Sequence, residues 1–212
     1  MVSQPHILMT ERIKLANYRG MAKTLGNVLA TVQDQLLQTL VAFMFAAANF
    51  QSPHWKFFWS LSLTYIQRNV IYRYILGCIP HRRLLHRILP TVFESPLCPV
   101  CLSVEDSPSH LLFNCPSKER IWQGVIFEFL WPTTTIQDIQ EALRSLDFSN
   151  VWYCQRKGIK PYRILIITLS QLWLAHMRYI YDNVPIDHTA ILASIRNNVR
   201  QTIDEDQCHS LL

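Results

Sequence analysis

The sequence predicts a mainly α-helical protein: a multi-helix domain with a loop resembling a zinc knuckle, built from three cysteines and one histidine, set into it. Three observations carry that expectation. Only five glycines occur in 212 residues, too few for the many tight turns of a sandwich or barrel. Apolar residues recur at three- and four-residue intervals over most of the chain, the period of a helix face. Three of the six cysteines and one histidine fall together in "CPVCLSVEDSPSHLLFNC". Half the residues are apolar and 17% are charged, which suits a buried core and argues against global disorder.

Taken in order, the elements begin with a helical pattern from Thr10 to about Phe50, marked by Leu25, Val28, Leu29, Val32, Leu36 and Leu40, with Gly20 and Gly26 as interruptions. "QSP" at 51–53 breaks it and opens a helix with Ser52 as N-cap and Pro53 in the first turn. "TYIQRNVIYRYILG" places Ile66, Val70 and Tyr74 on one face and stops at Gly77. "PHRRLLHRIL" starts on Pro80, turns Leu84, Leu85 and Ile88 inward, and leaves Arg82, Arg83, His86 and Arg87 outside. After the cysteine loop, "SKERIWQGVIFEFL" is a helix capped by Ser117 and ended by Pro132. "TTIQDIQEALRSL" follows with Thr134 or Thr135 as cap. "PYRILIITLSQLWLAHMRYIYDN" is the longest helix, and "IDHTAILASIRNNVRQTI" is the last, with Asp187 near its start. "DEDQCHSLL" is expected to fray as an acidic tail. No internal repeat or low-complexity segment interrupts this order.

The cysteine loop has the spacing Cys98, two residues, Cys101, eight residues, His110, four residues, Cys115. A Cys-x-x-Cys turn aims two thiolates at one ion, and a second pair brought over by a short loop completes a tetrahedron, the geometry zinc takes with sulfur and nitrogen ligands. Pro99 stiffens the first turn, and "HLLFNC" begins a helical turn that presents His110 and Cys115 together. With Cys98, Cys101, His110 and Cys115 all engaged, no corner is left for water, so a single zinc ion here is structural rather than catalytic. The competing readings are ordinary core thiols or a redox pair, and a lone Cys-x-x-Cys would leave the latter open. The redox motif opens a helix in a βαβ setting, and no strand pattern surrounds Cys98. Cys78, Cys154 and Cys208 are isolated and read as ordinary thiols.

Net charge is +5, and its distribution is uneven. Residues 35–93 hold six basic side chains, Lys56, Arg68, Arg73, Arg82, Arg83 and Arg87, and no acidic one, whereas residues 94–212 hold ten basic and thirteen acidic. A cationic stretch beside a metal loop has a physical route to nucleic acid, because Arg and Lys neutralise phosphates and release counterions. Arg82, Arg83 and Arg87, with His86, are the first candidates for phosphate contact, and Lys56 and Arg68 the second. For Arg73 the alternative is a half-buried ion pair with a later carboxylate. Trp55, Trp59 and Trp122 read as packing around the loop before they read as base-stacking platforms.

The stretch "WKFFWSLSLTYIQRNVIYRYILGCIPHRRLLHRILPTVFESPLCPVCLSVEDSPSHLLFNCPSKERIW" resembles the zinc-binding domain found downstream of the reverse transcriptase in non-LTR, LINE-like retrotransposons. The resemblance lies in Trp55 and Trp59, Arg73, the step at Ile79, Pro80, Arg83 and Leu84, then "LCPVC", "HLLFNCP" and Trp122. "SLTYIQ" stands where that family often has a proline pair, which leaves the start of the second helix open. The resemblance implies three segments: an N-terminal helical region 1–54, the zinc-binding domain 55–122 and a C-terminal helical region 123–212. It further implies an accessory module that assists RNA or DNA binding, with the polymerase domain of a parent element as a possible partner. The alternatives are a zinc-stapled scaffold for protein–protein contact, or a relic of such an element.

Catalytic motifs are not evident in the sequence. A polymerase palm needs paired aspartates to hold two metal ions, and "YIYDNV" offers Asp182 alone. "SLDFSNVWYCQRKGIK" holds Asp147, Lys157 and Lys160 without the paired carboxylate of a nuclease, and there is neither a glycine-rich phosphate loop nor a serine–histidine arrangement. The chain therefore reads as non-enzymatic. "VSQPHILMTERIK" after Met1 is no secretory leader. The run "LVAFMFAAANF" falls short of the ~20 apolar residues of a spanning helix. Together with the clustered cysteines, this leads to an expectation of an intracellular protein, nuclear or cytoplasmic, with no membrane segment.

Overall fold

The computed structural model describes residues 52–151 and 158–210, and they are mainly helical. The elements are α1 (Ser52–Ser60), α2 (Tyr65–Ile75), α3 (Arg82–Ile88), a π-helical turn (His110–Asn114), α4 (Pro116–Phe129), α5 (Ile136–Ser145), α6 (Pro161–Asp182) and α7 (His188–Ser210). Strand-like pairing among the described residues is confined to isolated bridges, one of them antiparallel, Leu97 to Glu105, inside the cysteine loop. The helical pattern expected over 10–50, the run at 40–50 and Cys154 lie outside the described residues.

Most helix boundaries follow from local chemistry. Thr64 opens α2 with a reciprocal capping box, its hydroxyl accepting from the Gln67 N–H at 3.3 Å while Gln67 Oε1 accepts from the Thr64 N–H at 3.0 Å. That settles the start of the second helix without a proline pair. At its other end Gly77 is left-handed (φ 68°), and the Cys78 N–H reaches Arg73 C=O while the Gly77 N–H reaches Tyr74 C=O, a Schellman closure. Thr135 caps α5 in a capping box with Asp138, and Asp187 Oδ1 accepts from the Thr189 and Ala190 N–H groups at the start of α7.

Several local expectations differ from the structure. Ile66 is exposed, and the buried face of α2 is Val70, Ile71, Tyr74 and Ile75. α3 begins at Arg82 rather than Pro80, and Leu84, Leu85 and Ile88 are only half-buried because α3 lies over the loop rather than in the core. α4 begins at Pro116, with Cys115 rather than Ser117 at the cap, so the helix grows directly out of the last cysteine. The segment 204–210 continues α7 as helix instead of fraying.

One contiguous apolar cluster runs from Phe58 to Val199, and it continues through Trp122 into the residues that follow. α6 is its centre: Ile164, Leu165, Ile166, Ile167, Leu169 and Leu172 are all buried, and α6 packs against α2, α4, α5 and α7. Trp122 is fully buried, stacks on Phe113 with ring centroids 5.3 Å apart, and donates its indole N–H to Leu112 C=O at 2.9 Å. Trp55 packs partly buried against the same cluster, whereas Trp59 is 58% exposed and stands outside it. No helix of the described residues is long and apolar enough to cross a membrane.

Candidate metal centre

The loop between α3 and α4 holds Cys98, Cys101, His110 and Cys115 together. The Leu97–Glu105 bridge is closed by the Cys98 N–H on Val104 C=O (2.8 Å) and the Asp106 N–H on Pro96 C=O (3.0 Å). This short ribbon folds Cys98 and Cys101 into a tight turn, in which the Leu102 N–H returns to Cys98 C=O at 2.8 Å. Closing that turn puts Leu102 in the left-handed region at φ 56°. The second pair comes from the π-helical turn, where the Cys115 N–H bonds His110 C=O at 3.0 Å. Five residues carry a regular α-helix well past one turn of 3.6 residues, and the widened turn is what lets one short segment supply both His110 and Cys115.

One ligand atom from each of the four residues lies within 4.8 Å of all the others, and Cys101 Sγ is 3.3 Å from His110 Nε2. A tetrahedron with Zn–S legs of about 2.3 Å and a Zn–N leg of about 2.0 Å has edges of roughly 3.5–3.8 Å, so the four atoms fit around one ion. Cys98 and Cys115 are buried, His110 is 6% exposed, and Cys101 faces partly outward. Side chains able to ligate a metal converge in threes or more only here among the described residues.

The thiols are not equivalent. A hydrogen bond to Cys115, reinforced by burial, pushes the Cys98 thiol up to about 12, while the same bond holds Cys115 below its usual value. Cys101 is also lowered: the Ser103 hydroxyl, the Ser103 and Val104 amides and His110 together outweigh its burial. A bound divalent cation would take the cysteines as thiolates and so displace their protons.

A second, unanticipated set of polar residues lies behind the ligands. Lys118 is fully buried, and its ammonium donates to Leu111 C=O and to His176 Nδ1, the latter at 3.2 Å. Accepting at Nδ1 requires the neutral imidazole with its proton on Nε2. Burial, then the Lys118 charge, hold His176 down to about 3. Tyr179, on the same helix, donates its hydroxyl to Pro99 C=O at 3.0 Å, between the first two cysteines. Asp106 is 1% exposed; its Oδ2 accepts from the Arg82 N–H at 2.7 Å, and its Oδ1 has no hydrogen-bond partner. A sequence signal did exist for Lys118, because it falls on the stripe of Ile121, Trp122 and Val125 that α4 buries. His176 likewise continues the buried stripe of Leu165, Leu169 and Leu172 on α6.

The basic residues separate into distinct settings. Arg83 and Arg87 line a depression of about 570 Å³ on the loop's flank, with His81, His86, Leu84, Pro96 and Glu105. His86 Nδ1 donates to Phe93 C=O at 2.6 Å. His81 Nδ1 lies 2.8 Å from Asp106 C=O and 3.4 Å from the Leu84 N–H. One ring nitrogen cannot serve both, and the shorter contact assigns it a proton. Arg83 pairs with Glu105 at 3.5 Å, both largely exposed. Arg82 lies over the Phe93 ring at 5.0 Å. Arg68 is engaged: it donates to Phe58 C=O (3.2 Å) and Leu61 C=O (2.7 Å), satisfying the open end of α1, and lies over the Trp59 ring. Lys56 is exposed on α1. Arg73 is exposed too, and no carboxylate pairs with it among the described residues.

Comparison with known proteins returns no match: no family model matches the chain, no curated protein matches its sequence, and no solved structure matches its fold.

Proposed function

We propose that this chain is a non-catalytic accessory module that holds one structural zinc ion and binds RNA or DNA, in the manner of the zinc-binding domain beside the reverse transcriptase of non-LTR retrotransposons. The observation that carries the reading is the convergence of Cys98, Cys101, His110 and Cys115 to within 4.8 Å, in the same loop whose Pro96, Glu105, Ser107 and Pro108 line a depression with Arg83 and Arg87 of α3. Three thiolates and an imidazole are a donor set for zinc rather than for hard cations. With four protein ligands the ion fixes the loop and leaves no open position for substrate.

Arg83 and Arg87 supply phosphate contacts from the depression beside the loop, with Arg82 next to them and Lys56 further off. The exposed Arg83–Glu105 pair is weak, so a phosphate can replace the carboxylate at little cost. Arg68 contributes through α1 rather than through a phosphate. The test is retention of single-stranded RNA by the protein across a salt series. Replacing Arg83 and Arg87 by alanine should weaken retention and lower the log–log salt slope by about 0.7 for each phosphate no longer neutralised. Retention that neither depends on salt nor changes in the double variant would refute the nucleic-acid role.

A second reading, a metal-stapled scaffold for another protein, has its own support. Phe127 in the last turn of α4 is 92% exposed, and Trp131, just past the helix end, is 55% exposed. In that case association would be insensitive to salt and would be lost when Phe127 and Trp131 are replaced by serine.

A further inference from the structure

Lys118 is the only fully buried cation among the described residues. An ammonium withdrawn from water is costly unless a negative charge compensates it nearby. Its two hydrogen-bond acceptors, Leu111 C=O and His176 Nδ1, are both neutral. Asp106 does not bond to it: one oxygen is held by the Arg82 N–H and the other is unpartnered. Besides Asp106, which acts on it through space only, the groups able to supply compensating charge are the cysteines of the cluster. Lys118 stands one turn after Cys115, its own N–H bonded to Cys115 C=O at 2.7 Å. Burial lowers the Lys118 pKa, and the charges that oppose that lowering are those of Cys115, Cys98, Asp106 and Cys101 when ionised, the thiols becoming so when they ligate a metal.

The metal centre has the complementary deficit. A divalent ion with three thiolates and a neutral imidazole carries one net negative charge, and two of its three sulfurs come from buried residues. We propose that the Lys118 ammonium is the fixed counter-charge of this centre, a positioning residue that acts through space on the thiolates and makes the buried Cys3His site close to neutral. The inference rests on the metal reading above and goes beyond it. His176 and the Leu111 carbonyl hold the ammonium in place, so α6 helps to set the charge of a site to which it contributes no ligand.

The experiment compares the full chain with Lys118→Met and Lys118→Gln, measuring zinc affinity by competition with a chromophoric chelator and recording the spectrum of the cobalt-loaded protein. Met keeps the length without the charge, and Gln keeps a donor without the charge. Both variants should lose about ten- to a hundredfold in affinity, the range for residues that support metal ligands from outside the coordination sphere. Their thiolate-to-cobalt charge-transfer band should move to lower energy, because removing a positive charge makes the sulfur electrons easier to transfer. Thermal unfolding of the metal-free forms should change far less than that of the loaded forms.

Wild-type affinity and an unshifted band in both variants would overturn the proposal while leaving the metal site standing. So would loss in Met with full rescue in Gln, which would make the hydrogen bond the cause. Failure of the unaltered chain to take up one equivalent of zinc would overturn the metal reading and this inference with it.

Discussion

At Leu102 the chain passes through the left-handed region (φ 56°) with a side chain that is 69% exposed. An L-residue there costs roughly 1–2 kcal/mol, and little burial is given up by removing this one. Leu102→Gly should therefore raise the stability of the metal-loaded protein by up to about 1 kcal/mol, measured by denaturant unfolding, since glycine's extra freedom in the unfolded chain offsets part of the gain. His176 gives a pH prediction. Its folded value, about 3, is below that of a free imidazole, so the unfolded chain binds a proton first as pH falls. Stability is then fully present above about pH 6.5 and is lost progressively down to pH 3. The contribution at pH 5 is about 2 kcal/mol below that at pH 7. Comparing the pH dependence of unfolding in His176→Gln with the parent isolates it: the variant should lack that part of the slope.

The helices show which features can be read from local sequence and which cannot. Gly77, Thr135 and Asp187 mark boundaries because each acts on backbone groups within five residues, and that chemistry is visible in a short window; Thr64 does the same for α2, although that start is open from the sequence alone. The four cysteine-loop residues are legible for the same reason, since the ligand spacing is itself a local pattern. Periodicity misplaces Ile66 because a three- or four-residue period fixes a stripe but not how wide the covering neighbour is; α2 buries Val70, Ile71, Tyr74 and Ile75 and leaves its first turn in water. Lys118 and His176 fall on the buried stripes of their helices, but what each meets there is not visible until a second helix is brought against it. Their contact spans 58 positions of chain. At this scale α6 clasps the metal loop at its far end. Tyr179→Phe removes the hydroxyl bond to Pro99 C=O, so it should destabilise the loaded protein by about 1 kcal/mol, with a smaller effect once metal is stripped.

For the molecule as a whole, the metal loop and the helices after it share one core, because Phe113 and Trp122 carry the loop into the cluster centred on α6. A chelator should therefore loosen more than the loop. Amide exchange should quicken over 97–118 and over the end of α6 near Tyr179, and less in α5, which meets the π-helical turn through the Gln140–Asn114 hydrogen bond. Beside this unit the cations are held at different levels: Lys118 is buried, Arg68 is committed to α1, and Arg83 and Arg87 line the depression on the loop's flank. The measurement that tests the central claim most directly is metal content of the purified chain, alone and with Cys98→Ser or His110→Ala. One zinc per chain, lost or sharply reduced in both variants, is the expected result. No zinc in the parent, or full retention in both variants, would contradict it.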